Sequence, residues 1–387
     1  MEFSLTPEQQ AFSAELRRWV DAEIPKDYMR RVEACEDEYP IELFDKLGAA
    51  GHHGMSVPVE YGGQGGSLVQ QLLLARGLSR SMAGMIWVWG STSFAGANSV
   101  GLYGTPKQKA EILPRIAAGK LRVTIGFTEP GGGTDVLGAL ATKARKVDGG
   151  WVINGAKTWC TSAHASQYVL LLVRTDDKVD KKSKGVTLFL MPTDAPGITL
   201  APIPTLGMRG LGTFDMILKD VFVPDNLVLG TPGEAWKMLL PTLANERVML
   251  MGTCLGIMDG VFEDALAYMQ ERTAFGKHIG EFQALQHYLA DIAMSRYQTE
   301  LVAHHCAWLG DTGQNVFMPV TMGKVIASEH AMRAADLGIQ ILGGQGYSAR
   351  RDMQRYWRDA RLMRFSPISN EMARNLIAEH HGLPRSF

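Results

Sequence analysis

The sequence is short of the features that place a chain in a specialised class. Its 387 residues hold four cysteines, Cys35, Cys160, Cys254 and Cys306, and no two stand at a metal-binding or redox spacing. Three of them sit among apolar residues and read as core fillers, which fits a reducing cytoplasm. The formal net charge is -1, which speaks against a nucleic-acid or anionic-membrane surface and means that an anionic ligand needs a local basic patch. No apolar run reaches the roughly 18 residues of a spanning helix. Met1 and Glu2 lead into the polar Pro7-Glu8-Gln9-Gln10, a helix start with no visible cleavable signal. No repeat of fixed period occurs. What is present is ordinary in kind, 46% apolar and 20% charged residues, in a chain long enough for two or three domains and a large core.

The hydrophobic period changes twice along the chain. Residues 1–120 read as helical, with Thr6-Pro7 and Thr105-Pro106 as helix starts. Helices are expected at Glu8–Asp21, Ile41–Ala49, Val69–Ser81, Met85–Tyr103 and from Thr105 to Ala117. Residues 121–232 carry short β-branched or apolar stretches punctuated by Gly, Pro, Asp and Lys. Arg122–Thr128, Gly150–Asn154, Tyr168–Arg174, Val186–Met191, Ile198–Pro202 and Asp215–Val223 suggest an antiparallel barrel or sandwich. From 233 to 387 long amphipathic helices return, at Ala235–Gln270, Phe282–Gly310, Met318–Leu342 and Ile368–His380. The order helices, strands, helices is an α+β multidomain pattern and argues against a doubly wound nucleotide-binding fold.

Glu246 stands out within the longest helix. Leu239, Leu243, Leu250, Cys254, Ile257 and Val261 form one apolar stripe, and Glu246 lies inside it. A carboxylate on a core-facing stripe is paired, protonated or used for chemistry. A structural ion pair, for instance with Arg247, is the competing reading. Elsewhere, Thr128-Glu129-Pro130-Gly131-Gly132-Gly133-Thr134-Asp135 follows a strand and leaves backbone amides bare for a flat or anionic ligand, or is simply a flexible loop. Trp159, flanked by Thr158, Thr161 and Ser162, suits an aromatic ring with a polar edge, or a buried core position. Arg272 with Phe275, and the glycine turn Gln340–Tyr347, are further candidates; each also reads as an ordinary helix end. The second glycine turn follows a helix, so it is not a dinucleotide fingerprint.

In this order, the segments Thr128–Asp135, Trp159–Ser162, Gly207-Met208-Arg209-Gly210, Val223-Pro224-Asp225-Asn226 with Gly230, Arg272–Gly276, Gln340–Tyr347 and Arg358-Asp359-Ala360-Arg361 resemble the acyl-CoA dehydrogenase flavoprotein family over essentially the whole chain. The resemblance implies an N-terminal helical domain, a middle β-domain, a C-terminal four-helix bundle and a bound FAD. It implies that Phe127, Thr128, Trp159, Thr161 and Ser162 contact the flavin and that Thr134 and Arg247 meet the acyl-CoA. It further implies that Arg272, Phe275, Gln340, Gly343 and Gly344 reach the FAD of a neighbouring subunit in a homotetramer built as a dimer of dimers. Electron-transferring flavoprotein is the implied acceptor, in fatty acid or amino acid catabolism. The methionines, 20 in all, could line a pocket for a flexible acyl chain.

One position departs from the usual pattern. Many members carry the catalytic Glu shortly after the Arg-Asp-Ala-Arg word, where this sequence has Pro367. Isovaleryl- and long-chain-type members, and crotonobetainyl-CoA reductase-like ones, place it on the long helix before an Arg, as in Glu246-Arg247. The resemblance thus makes Glu246 the base that removes the pro-R α-proton of an acyl-CoA while a hydride leaves the β-carbon, with Glu371 as a lesser candidate. Pro367 has no N–H to give the thioester oxygen, so a neighbour such as Ile368 must supply that donor. The reverse enoyl-CoA reduction, a flavin oxidase or monooxygenase, and a non-catalytic acyl-CoA or acyl-carrier binding subunit stand as alternatives.

Overall fold

The computed structural model describes residues 4–35 and 38–385. Met1 and Glu2, on which the expectation about the leader partly rests, lie outside them. The N-terminal helices are α1 (Pro7–Glu23), α2 (Lys26–Ala34), α3 (Ile41–Ala49), α4 (Leu68–Ser79), α5 (Ile86–Thr92), α6 (Ser99–Tyr103) and α7 (Pro106–Ala117). Helices α1, α4 and α7 start on the same device. The cap hydroxyls of Thr6, Ser67 and Thr105 accept from the amides of Gln9, Gln70 and Gln108, whose side chains return to the cap amides. The single helix expected over Met85–Tyr103 is interrupted by a π-helical turn at Ser93–Asn98, where the Ser99 hydroxyl donates to the Phe94 carbonyl at 2.9 Å. Helix α2 escapes a reading by period because it is mostly charged and buries only Tyr28 and Met29.

The middle strands are β1 (Val123–Gly126), β2 (Lys143–Val147), β3 (Gly150–Thr161), β4 (Tyr168–Arg174), β5 (Val186–Pro192), β6 (Ile198–Pro202), β7 (Thr213–Pro224) and β8 (Val228–Leu229). They form one sheet in the order β6-β7-β3-β2-β4-β5-β8, with β1 also on β4. The expected all-antiparallel arrangement is corrected here. β1 and β2 both pair parallel with β4, so the sheet is mixed. Strand direction is set by how the chain returns to the sheet, which period-2 patterning does not record. β2 was also not anticipated, because of its five residues only Ala144 is buried.

The C-terminal part holds three long helices, α8 (Ala235–Glu271), α9 (Gln283–Asp311) and α10 (Phe317–Leu342). Between α8 and α9 lies a small hairpin, β9 (Thr273–Ala274) with β10 (Lys277–His278). The short α11 (Gly344–Tyr347), α12 (Met353–Met363) and α13 (Asn370–His380) follow. The C-terminal helical domain is built on three long helices, with the shorter α12 and α13 laid on α10. Two of the sequence words meet here: Asp359 accepts from the Met208 amide at 2.7 Å, and Arg358 donates to the Leu206 carbonyl at 2.7 Å. No described helix is long and apolar enough to cross a membrane.

Helix α8 belongs to two cores at once. Leu239 and Met249 pack with Leu74, Trp89, Phe94 and Leu190 in a core between the N-terminal helices and the sheet. Val248, Met251 and Ile257 pack with Leu72, Ala303 and Ala327 in the helical core. Helix α4 lies backbone-to-backbone on α8. A Cβ added at Gly252, Gly256 or Gly260 would fall within 3.0 Å of the carbonyl oxygens of Leu72, Arg76 and Arg80 in turn. Both sets are spaced by four, so a ridge meets a groove. The same face carries Arg76, which holds Asp259 through two bonds of 2.6 and 3.1 Å and Glu300 through one of 3.0 Å. Gly256→Ala is therefore expected to lower stability by about 1–3 kcal/mol through overpacking. Gly101→Ala on α6, where an added Cβ meets nothing within 4 Å, is expected to be neutral or stabilising. Chemical denaturation of the two variants checks both.

Candidate active site

Glu246 sits on α8 where the two cores meet, and only 5% of it is exposed. Leu243 and Met249, three residues to either side, pack in the core that contains Trp89, Phe94 and Phe127, while Leu250, four residues on, belongs to the helical core. Among the described residues no hydrogen bond reaches it. Arg247 is turned elsewhere. Its Nη1 donates to the Thr321 hydroxyl of α10 at 2.9 Å, and its guanidinium lies 5.2 Å over the Phe317 ring. Arg247 thus acts on Glu246 through charge alone and makes no ion-pair bond with it, against the competing reading. Burial pushes the Glu246 carboxyl up to about 7, the Arg247 charge opposing. Glu371, the lesser candidate, is exposed in the first turn of α13.

The glycine segment is tied down at its foot and open at its tip. Phe127 and Thr128 leave β1, and the Thr158 amide donates to the Thr128 carbonyl at 2.9 Å. Lys157, fully buried, reaches the Phe127 carbonyl at 3.3 Å and pairs with Glu129 at 2.7 Å. Glu129 also accepts the amides of Ala141 and Thr142. Burial works against the Glu129 charge, yet Lys157 and these donors hold its carboxyl below the usual range. This clamp went unread in the sequence because its partners are 28 residues apart and each looks like surface charge. Beyond it, Gly131 and Gly133 have nothing within 4 Å of an added Cβ, and Thr134 is exposed.

Trp159 lies at a bulge in the β3–β7 pairing, between Lys157 and Cys160, with φ 60°. That left-handed residue turns the indole out of the sheet and leaves it 55% exposed, which answers the competing reading of a core Trp. Thr161 is half-buried and shares a hydrogen bond with Thr213 at 3.2 Å. Ser162 is buried, and its hydroxyl donates to the Leu211 carbonyl at 3.3 Å, so that proton is spent on the turn into β7.

The remaining expected residues gather far away. Gly323 of α10 lies on Met251 and Gly338 on Val261, so α8 and α10 run parallel and end together. Arg272, Phe275, Gln340, Gly343 and Gly344 stand at that end, all solvent-facing, Phe275 at 96% exposure. From Glu246 to Arg272 the helix runs roughly 40 Å. These residues therefore stand apart from Glu246 of their own chain. A cleft of about 570 Å³ on the outer N-terminal helices, lined by Trp19, Glu23, Lys46 and His52, touches none of the expected residues either.

Family models match in the same order as the architecture. The acyl-CoA dehydrogenase N-terminal domain covers residues 6–120, the middle domain 124–221 and the C-terminal domain 233–382. The chain belongs to the acyl-CoA dehydrogenase family. Mitochondrial isovaleryl-CoA dehydrogenase of Oryza sativa subsp. japonica is 32% identical over 338 residues, 87% of this chain and 82% of that protein. Butyryl-CoA dehydrogenase of Megasphaera elsdenii superposes with a TM-score of 0.93 at 27% identity, over 98% of this chain and 100% of its own. A chain from a structure of the electron transferring flavoprotein of Acidaminococcus fermentans superposes with a TM-score of 0.94 at 28% identity, over 99% and 100%.

Membership makes this chain an FAD-dependent oxidoreductase acting on CH–CH bonds of acyl-CoA, and the residues present fit that cofactor. An indole turned to solvent beside a threonine hydroxyl offers a flat ring a face and an edge, and the open glycine segment at Gly131 and Gly133 is tied to β3 through the Thr158–Thr128 bond.

The electrostatics of Glu246 also set a sign for stability. Its folded pKa lies above the ordinary 4.5, so the neutral carboxyl suits the fold better than the carboxylate. That contribution is full below pH 4.5 and is lost as pH rises through about 7. Glu246→Gln is expected to unfold later than wild type at pH 8.5, by up to about 3 kcal/mol, with little difference at pH 4.5. Denaturation curves at the two pH values decide it.

Proposed function

We propose that the chain dehydrogenates an acyl-CoA thioester to the trans-2-enoyl-CoA, with Glu246 as the base that takes the α-proton. The observation that carries this is a buried carboxyl with no hydrogen-bond partner among the described residues, on the helix stretch where the two cores meet. A structural ion pair would engage Arg247, whose Nη1 instead donates to Thr321. A carboxyl poised near 7 is matched to proton abstraction around neutral pH. FAD, when bound, supplies the acceptor for the β-hydride. Phe127, Thr128, Trp159 and Thr161 hold its ring in this reading, with Ser162 helping through the shape of its turn. Thr134 stands at the mouth, toward the pantetheine. Arg247 bears on the acyl-CoA site through its charge beside Glu246.

The assembly reading follows from the far end of α8. Arg272, Phe275, Gln340, Gly343 and Gly344 serve the FAD of a neighbouring subunit, in a homotetramer built as a dimer of dimers. A ring that is almost wholly exposed is otherwise an unexplained apolar liability. The three functional units are residues 1–120, 121–232 and 233–387. The proposed acceptor is electron-transferring flavoprotein.

Two experiments test these assignments. Under anaerobic conditions a panel of acyl-CoAs bleaches the flavin of the wild type, while Glu246→Gln reacts about 10³-fold slower or not at all. Bleaching at the wild-type rate in the variant removes Glu246 as base. Phe275→Ala with Arg272→Ala is expected to lower both flavin content and assembly size in sedimentation velocity. Full flavin loading in a dissociated variant would defeat the shared-site reading.

A further inference from the structure

Lys324 of α10 is fully buried, and among the described residues no carboxylate bonds to it. Its ammonium donates to Asn370 Oδ1 at 2.6 Å and to the Arg364 carbonyl at 3.2 Å. These two residues are the ends of the turn between α12 and α13 that carries Pro367 and Ile368. The Asn370 amide closes the turn by donating to the same Arg364 carbonyl at 2.9 Å. Ser328 Oγ adds a bond to Asn370 Oδ1 at 3.1 Å, and Asn370 Nδ2 reaches Glu329 at 2.9 Å. One helix face thus grips both ends of the turn.

That face has a second task. Thr321, Lys324 and Ser328 are spaced by three and four, so they form one strip of α10. Thr321 takes the guanidinium of Arg247, the residue next to Glu246. A single strip therefore sets the 364–370 turn in register with the base. Burying a cation that no carboxylate bonds is costly, since Glu371 and Glu329 bear on it through charge alone, and a neutral side chain would tie a loop with less penalty. What an ammonium adds is several donors on one atom, able to span both ends at once, and a positive charge behind the turn. Burial draws that ammonium down to about 8. Among the described residues the Ile368 amide has no acceptor within the chain.

We infer that Lys324 is a positioning residue for the reaction, holding the 364–370 turn so that the Ile368 N–H donates to the thioester carbonyl oxygen in place of the amide that Pro367 lacks. This rests on the reading of Glu246 as the α-proton base. When the α-proton leaves, charge builds on that oxygen, and a fixed donor lowers the barrier only if it does not have to be repositioned.

The test uses the flavin-loaded enzyme and two readouts. Acetoacetyl-CoA, whose α-protons lie between two carbonyls, reports the donor directly through the ultraviolet absorbance of its bound enolate. In Lys324→Met the enolate fraction is expected to fall, and kcat with an acyl-CoA to fall about tenfold or more. KM is expected to stay within about threefold and flavin content to match wild type, because the lysine touches neither ligand in this reading. If Lys324→Met yields no folded protein, Asn370→Leu removes the same link from the turn and is expected to show the same losses. An unchanged enolate fraction and kcat in a folded, flavin-loaded variant overturns the inference, as does absence of bound enolate in the wild type. Failure of the underlying reading shows separately, as reduction that survives in Glu246→Gln while Lys324→Met is impaired.

Discussion

The contact between α4 and α8 is the constraint on which the rest of this structure depends. Three glycines spaced by four let one helix backbone rest on the other, carbonyl against Cα, at positions where any side chain would intrude. Close approach brings dispersion contacts and fixes rotation as well as distance. Arg76, bound to Asp259 and Glu300, then locks the helices along their length. The consequence reaches beyond packing. Held so tightly, α8 cannot turn about its own axis, and the direction in which Glu246 points follows from glycines that begin six residues later.

Around that axis the molecule divides its labour by distance. The proposed chemistry is gathered where α8 passes between two cores, and the exposed aromatic and glycine groups stand at its far end. One rigid helix thus carries both ends of the proposed function: a carboxyl turned inward and a handle turned toward another subunit. The middle sheet supplies the complementary surface. Its bulge at Trp159 shows how a strand that is regular elsewhere presents one ring by a single left-handed residue. Both features depend on local backbone geometry supported from behind, by the Lys157–Glu129 pair in the sheet and by the α10 strip in the helices.

Much of this was legible in the sequence where a pattern is local. The helix–strand–helix order, the caps at Thr6 and Thr105 and the misplaced charge of Glu246 all lie within a few residues of their evidence. What was not legible joins distant residues. Parallel pairing of β1 and β2 with β4, the grip of Lys324 on Asn370 and the clamp of Lys157 on Glu129 each need two segments that period alone cannot bring together. Gly252, Gly256 and Gly260 were hidden for a related reason: a hydrophobic stripe says which face is buried but not how close the neighbour comes. The π-helical turn at Ser93–Asn98 lies in a segment whose composition suits one continuous helix. Ser162 carries the opposite lesson, since a residue chosen for its hydroxyl has spent that proton on the fold.

On the proposed function, the near-complete enclosure of Glu246 makes ligand binding also a proton-binding event. A carboxyl that burial pushes up to about 7 is only partly ionised at neutral pH. An apolar chain closing over it expels the remaining water and disfavours the carboxylate further. An acyl group that binds as proposed therefore draws a proton from solution, and the heat of that association carries the ionisation enthalpy of whichever buffer gives it up. Substrate affinity and proton affinity are then two readings of one linked equilibrium, centred on a single side chain.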